Sequence, residues 1–368
     1  SRVGEFNNCY DITFNGCSIK NIGHQALNMQ KVSKININGC RFDSVGGTCI
    51  YIEGGDRTTL TGADNHIENN TFYKMGRETK TYAGAVDIYG VGTYVEHNIM
   101  HEAPHQVIRF SGNNHKIRYN EIYNAVKETL DSSAVYCGRD YTMWGNEIAY
   151  NYIHDIKSSA SVAGLFAAGV YLDDMWSGTN VHHNIFVNTD LGVLANGGRN
   201  NTINSNIFAN CDTSIYFVNS GETWAKASTL PGGDAYKTLE KVDYMNPPYS
   251  VQYPELPEIS KDLAELGSPK NNTICDNLIY KCPETVISDS VYKFAKKIEN
   301  NIETDEAEFN NPENGDYTIK KDSDILNKLP EIGEINISEI GLTSDEDRLD
   351  INKFKLIYPK NGQAEINN

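Results

Sequence analysis

The chain has 368 residues, 39% of them hydrophobic, with 30 Gly, 22 Tyr, 11 Pro and a formal net charge of -17. That length and apolar content suit one large elongated domain, and the acidic balance argues against nucleic acid or an anionic membrane as partner. No apolar run reaches the ~18 residues of a membrane span, and the eight Cys show no metal-ligand spacing, so neither a metal nor a cofactor is expected.

Nine times a small polar residue is followed two places later by a large apolar one. The pairs are Cys17/Ile19, Cys40/Phe42, Asn70/Phe72, Asn98/Met100, Asn120/Ile122, Asn151/Ile153, Asn184/Phe186, Asn206/Phe208 and Asn277/Ile279. Their spacing returns repeatedly to a base of about 22 residues with insertions of variable size, the period of a solenoid built from short strands. An Asn at a tight corner tolerates left-handed backbone and can ladder with its equivalents in adjacent coils, so this column reads as structural.

Between these markers lie short alternating segments. In chain order they are QALNMQ at 25–30, TCIYIE at 48–53, GAVDIY at 84–89, QVIRFS at 106–111, SAVYCG at 133–138, AGVYLD at 168–173, LGVLAN at 191–196 and TSIYFV at 213–218. Period-two alternation rich in Val, Ile, Tyr and Phe predicts strands. No hairpin turns separate the units, so each strand should lie parallel to its counterpart one coil away. The expected fold is all-β, a right-handed parallel β-helix. A leucine-rich repeat has a similar period but needs a leucine consensus that is absent. Cys17 and Cys40 share a repeat column, and Cys49 and Cys137 sit inside strands, which favours buried packing over a disulfide framework.

Loops decorate one region of this rod. The coils ending at Asn70, Asn98, Asn151 and Asn184 exceed the base period, and the span from Asn206 to Asn277 exceeds it most. That longest insertion, about 221–271, contains Trp224, Tyr236, Tyr244, Tyr249 and Tyr253 among prolines and reads as an ordered lid or a packing flap. After Ile279 the repeat weakens toward irregular terminal coils that would cap the rod. Residues 1–345 are therefore expected to form a single domain and 346–368 a C-terminal tail. Ser1 opens directly into the repeat with no signal peptide, as expected of a mature or trimmed chain.

Residues of one parity share a face. The inward columns read Leu27, Ile50, Val86, Ile108, Val135, Val170, Val193, Ile215 and then Met29, Ile52, Ile88, Phe110, Cys137, Leu172, Ala195, Phe217. The outward column between them holds Tyr51, Asp87, Arg109, Tyr136 and Tyr171, and the next holds Glu53, Tyr89, Gly138, Asp173 and Asn196. Carboxylates interleaved with tyrosines suit carbohydrate handling: aromatic faces stack on sugar rings, and paired acids transfer protons and stabilise an oxocarbenium-like transition state. Asp131 leads into one strand, and Asp173 is followed at once by Asp174, two like charges that perturb each other's titration.

The phrases HEAPHQVIRFSGNNHKIRYNEIY at 101–123, DSSAVYCGRDYTMWGNEIAYNYIHDI at 131–156, GVYLDDMWSGTNVHHNIF at 169–186 and GVLANGGRNNTINSNIFANC at 192–211, with YPEL at 253–256, resemble the bacterial β-helix glycosidases of glycoside hydrolase family 141. The resemblance covers roughly residues 5 to 345. It implies a pectin-lyase-like solenoid similar to α-L-fucosidases and xylanases that act on plant cell-wall polysaccharide. It further implies a catalytic aspartate pair, Asp131 on the D-x-x-A-V-Y phrase and Asp173 or Asp174 on Y-L-D-D, strand parity favouring Asp173. The resemblance also implies an N-terminal portion, as in longer relatives, expected to be missing or removed from the given sequence.

The expected protein is a secreted or periplasmic glycosidase, a monomer whose partner is a carbohydrate. His105 and Arg109 would contact substrate or tune the acids, with Asp87 and Glu53 on the same face, and Tyr136, Tyr171 and Trp176 would form binding walls. Two of these residues carry an alternative reading of equal standing: His105 as a turn cap after Pro104, and Trp176 as the filling of a loop core. Two other functions fit the architecture. A polysaccharide lyase would use Arg109 with Asp87 and Glu53 on a uronate, and a non-catalytic rod would bind glycan through its tyrosines. A straight-strand estimate separates Asp131 from Asp173 too widely to share one sugar, so the pair requires a bend or a loop that curls back.

Overall fold

A computed structural model of the protein describes residues 2–162 and 164–343; the expected tail at 346–368 lies outside the described residues. Among these residues the chain winds as a right-handed parallel β-helix with three ten-stranded parallel sheets, every coil giving one strand to each. The eight alternating segments all fall in the first sheet. Their register reproduces the inward columns coil by coil, from Leu27 against Ile50 and Ile50 against Val86 to Val193 against Ile215. The interior is one continuous core in which Phe42 stacks on Phe72 and Phe186 on Phe208, ring centroids 4.9 and 5.0 Å apart.

The marker Asn side chains form a buried ladder. Each amide Nδ2 of Asn70, Asn98, Asn120, Asn151, Asn184, Asn206 and Asn277 donates to the Oδ1 of its equivalent in the next coil, ending on Asn301, at 2.8–3.0 Å. That same oxygen also accepts the backbone N–H of the Asn one coil below. The left-handed geometry expected of these asparagines belongs instead to the residue before each, with φ of 53–61° at Asn69, His97, Tyr119, Tyr150, His183, Ser205, Asp276 and Asn300. Four of these corner side chains stack, His97 on Tyr119, Tyr119 on Tyr150 and Tyr150 on His183, at 4.9, 5.0 and 4.9 Å. Toward the N-terminus thiols take over the column: Cys40 N–H donates to Asn70 Oδ1 and Cys17 N–H faces Cys40 Sγ. All eight cysteines are free.

The first sheet bends. In each coil two consecutive side chains face the core at the strand entrance: Ala26 and Leu27, Cys49 and Ile50, Ala85 and Val86, Val107 and Ile108, Ala134 and Val135. Gly169 continues the first of these positions, where a Cβ would stand 2.7 Å from the Phe186 ring. Two inward residues in succession break the period of two, so the outward side chains on either side of the break converge.

The insertion at 221–271 packs Tyr249, Tyr253, Leu256 and Ile259 on Leu60, Tyr141, Trp144 and Met175, covering the turns that leave the first sheet. The repeat continues past Ile279 for one more coil, because Lys297–Glu299 and Ile302–Thr304 add last strands to the second and third sheets. Beyond them Phe309, Ile319, Leu329 and Ile332 cover the outer face of the third sheet. The chain then runs back along the rod, Gly341 N–H bonding Tyr119 O and Thr343 N–H bonding Asn69 Oδ1. This segment splints the side of the helix as well as closing its end.

On the outer face of the second sheet Glu147 meets His182, Lys116 and Arg118 at 3.4, 2.7 and 3.8 Å. The His182 contact first, then Lys116, lower its pKa to about 2, against about 4.3 in an unfolded chain. A depressed carboxylate stabilises the fold above the unfolded value and loses that contribution as pH falls toward the folded one. Glu147→Gln should therefore be less stable than the parent at pH 7, with the gap closing below about pH 4 in urea titrations. Asn151→Ala strands the Asn120 N–H and the Ile117 carbonyl that its amide satisfies. At about 1–3 kcal/mol for each buried unsatisfied group, it should lose roughly 3 kcal/mol or more in urea unfolding; a loss under about 1 kcal/mol would contradict the ladder's role.

Candidate active site

The bend brings Asp131 to the outward face. Asp131 sits one residue before the strand Ser132–Gly138, at φ 55°, its N–H on Phe166 O at 3.0 Å. Asp173 ends the neighbouring strand Ala167–Asp173. Between them stands Tyr171, whose hydroxyl donates to Asp131 Oδ1 at 3.2 Å and accepts from Asn196 Nδ2 at 2.6 Å. The Asn196 amide also reaches Asp173 Oδ1 at 3.3 Å. Laid end to end, these bonds keep the two carboxylates within the roughly 9.5 Å outer limit for a glycosidase pair. Both aspartates face one side of the rod.

Every hydrogen-bonding neighbour of Asp173 donates to it. Tyr136 OH lies 2.7 Å from Oδ2 and the Asp174 N–H 2.8 Å from Oδ1. The Arg139 guanidinium stands 3.6 Å from both Asp173 and Asp174 while remaining 70% exposed. Gly138 makes this approach possible, since a Cβ there would meet Asp173 Cβ at 2.8 Å. Burial, and next the charge of Asp173, push Asp174 above the usual carboxylate range. Its Oδ1 is enclosed without a hydrogen-bond partner. Tyr136 and Tyr171 meet edge to face at 5.5 Å, and burial holds both phenols well above their ordinary pKa.

The remaining predicted residues divide. Asp87, Arg109 and His105 form a neighbouring cluster. Arg109 donates to Asp87 Oδ2 at 2.7 Å, and its guanidinium lies over the Tyr82 and Tyr89 rings at 5.7 and 5.8 Å. Burial raises the Asp87 pKa, and its Oδ1 is also without a partner. His105 does not act on the acids as expected. It is 5% exposed, accepts from the Tyr82 N–H at 3.4 Å, meets Ser132 Oγ at 3.3 Å, and burial pushes its pKa down to about 4, leaving it neutral at pH 7. It positions the Tyr82 loop. Glu53 lies beside Tyr51 and pairs in register with Tyr89, four coils and about 19 Å from Asp173, so it does not join the acids. Of the two readings of Trp176 the binding wall is overturned and buried packing holds, in the main core and not a loop core: it is wholly buried, edge-on to Phe110 at 5.4 Å with Nε1–H on Thr179 Oγ1.

Arg139, Asn196 and Tyr82 were not singled out from the sequence. Asn196 stood in the Asp173 column one coil on, and Arg139 aligns with Asp174 because Gly138 aligns with Asp173, so both were open to a register argument. Trp176→Phe should lower the melting temperature by several degrees while leaving the affinity for any glycan unaltered, as thermal unfolding and binding titration would show.

A family model described as right handed beta helix region matches residues 27–230, more than half of the chain. The chain belongs to the right-handed β-helix family. A solved structure named glycoside hydrolase aligns with a TM-score of 0.41 at 17% identity, covering 57% of this chain and 37% of that one. This chain thus spans well under two thirds of that protein, and a likeness so loose carries no argument about chemistry. No curated protein matches.

Proposed function

We propose that the protein is a glycoside hydrolase that uses Asp131 and Asp173 across the scissile bond of a complex, plant cell-wall type polysaccharide. The observation that supports this most is the hydrogen-bond chain from Asp131 through Tyr171 and Asn196 to Asp173, two carboxyl groups on one outward face at a separation a sugar can span. Asp173, surrounded by donors, serves as base or nucleophile. Asp131, exposed on the same face, delivers the proton to the leaving oxygen, and Asp174, raised by burial, is the alternative acid. Tyr136 and Arg139 orient Asp173 and offset the charge around it. Arg109, held by Asp87, extends the same face toward the rest of the substrate. A polymer of this kind is met outside the cytoplasm, so the reading includes a secreted or periplasmic site of action and a monomer as the working unit.

Asp131→Asn and Asp173→Asn should each lower kcat/KM by about 100- to 10,000-fold with folding intact, the usual weight of a general acid or base. The assay is reducing-end release from xylan and fucosylated pectic fragments, with circular dichroism as the folding control. Near-parental rates in both folded variants would overturn the assignment. If Asp174→Asn alone abolishes activity, the acid is Asp174. If Asp174 supplies the proton, activity should also fall as pH rises through its elevated pKa, and the Asp174→Asn protein should lose that limb.

A further inference from the structure

Among the described residues the three tryptophans divide sharply: Trp176 and Trp144 are buried, and Trp224 is 64% exposed. A large indole left in water forfeits the free energy of burial, so its position calls for a reason. Trp224 is not on a loose loop. It follows the short 3-10 turn Ser220–Glu222, closed by the Asn219 side chain accepting the Glu222 N–H. Ser220 is fully buried and its hydroxyl donates to Asn196 O at 2.7 Å, the residue whose amide binds both Tyr171 and Asp173. Ala225 N–H returns to Ser220 O at 3.0 Å, and Ser290 Oγ anchors Glu222 at 2.9 Å. Trp224 and Ser220 both adjoin Asp174, where they offset part of the rise in its pKa, and the indole ring is left open to solvent beside the acids.

Tyr82 mirrors it. It is 56% exposed, and its ring is steadied by His105 at 5.0 Å and by the Arg109 guanidinium. Tyr82 comes from the insertion before the strand Val86–Val91 and Trp224 from the insertion after Thr213–Val218. These strands lie on either side of the Asp131 and Asp173 strands in the sheet order. Two inserted loops thus bring exposed aromatic rings toward one acid pair from opposite directions along the rod.

We propose that Trp224 is a sugar-binding platform, a subsite next to Asp174 that takes the apolar C–H face of a pyranose ring of the substrate. The proposal rests on the glycan-hydrolysing reading and adds where the chain is gripped: Trp224 stacks one ring while it adjoins the acid, which fixes the distance from the gripped ring to the cleaved bond. An exposed ring held on an ordered turn loses little conformational entropy on binding. Sugars with an uninterrupted C–H face fit this platform, and an axial substituent on that face would lift the ring from the indole.

The test uses the whole chain and intrinsic fluorescence, because Trp224 supplies the solvent-exposed part of the emission. Titrating the parent with xylo-oligosaccharides and with fucosylated pectic oligosaccharides should quench and blue-shift that part. Trp224→Ala should abolish the spectral change and raise KM about five- to tenfold, while Trp224→Phe keeps most of the affinity. Cleavage by the parent with unchanged KM in folded Trp224→Ala would overturn the platform and leave the hydrolase reading intact. If the parent neither binds nor cleaves any of these glycans, the hydrolase reading fails and the platform with it.

Discussion

The structure depends on one constraint, that each coil must present its amide pair to the coil above in fixed vertical register. The ladder from Asn70 to Asn301 meets this constraint at one corner with two bonds per step, a side-chain N–H and a backbone N–H sharing one buried oxygen. Such a ladder tolerates neither a slipped nor a tilted coil, because a displaced amide leaves a donor and an acceptor unpaired where water cannot reach. Left-handed residues bring the chain into each rung, and the strain of placing His or Tyr there is offset by stacking between His97, Tyr119, Tyr150 and His183. Extra residues can then enter a coil only at corners the ladder does not occupy. The insertions do enter elsewhere, at the two ends of the first sheet.

Placement of the candidate site follows from this. Fixed register makes outward side chains into columns, so Tyr136 stands beside Tyr171 and Gly138 beside Asp173. The doubled inward residues at the strand entrance fold the outer surface over, which lets Tyr171 reach Asp131. Gly138, lacking a side chain, lets Asp173 pack against its backbone, and Arg139 reaches both Asp173 and Asp174. The acids themselves are dissimilar. Asp131 is open to solvent, Asp173 is enclosed by donors, and Asp174 is raised by enclosure and by its neighbour's charge, so one small patch offers carboxyl groups suited to different proton-transfer roles.

Much of this could be read from the sequence, for a physical reason. A parallel solenoid has period-two strands in unbroken register, so alternation alone orders Asp87, Arg109, Tyr136 and Tyr171 along one face, as the strand pairing bears out. Strands of three or four residues, such as Thr71–Tyr73 or Asn65–Glu68, are too short to show a period, and the second and third sheets were correspondingly hidden. Residue type points to the ladder Asn for the left-handed corner because Asn tolerates it, yet the left-handed backbone falls one residue earlier. Sequence leaves Trp176 open between wall and packing because nothing in it shows that beyond the strand end the chain turns this ring into the core. His105 misled because residue type says nothing of burial, and burial removes its charge.

The central claim is that a sugar lies across the outward face that Asp131 and Asp173 share. The most direct measurement is a crystal structure of the Asp173→Asn protein soaked with an oligosaccharide that the parent cleaves. The account predicts a sugar ring spanning the Asp131 carboxyl group and position 173 with its neighbour over Trp224. Density for the oligosaccharide on another face of the rod, with none at the two aspartates, would contradict it.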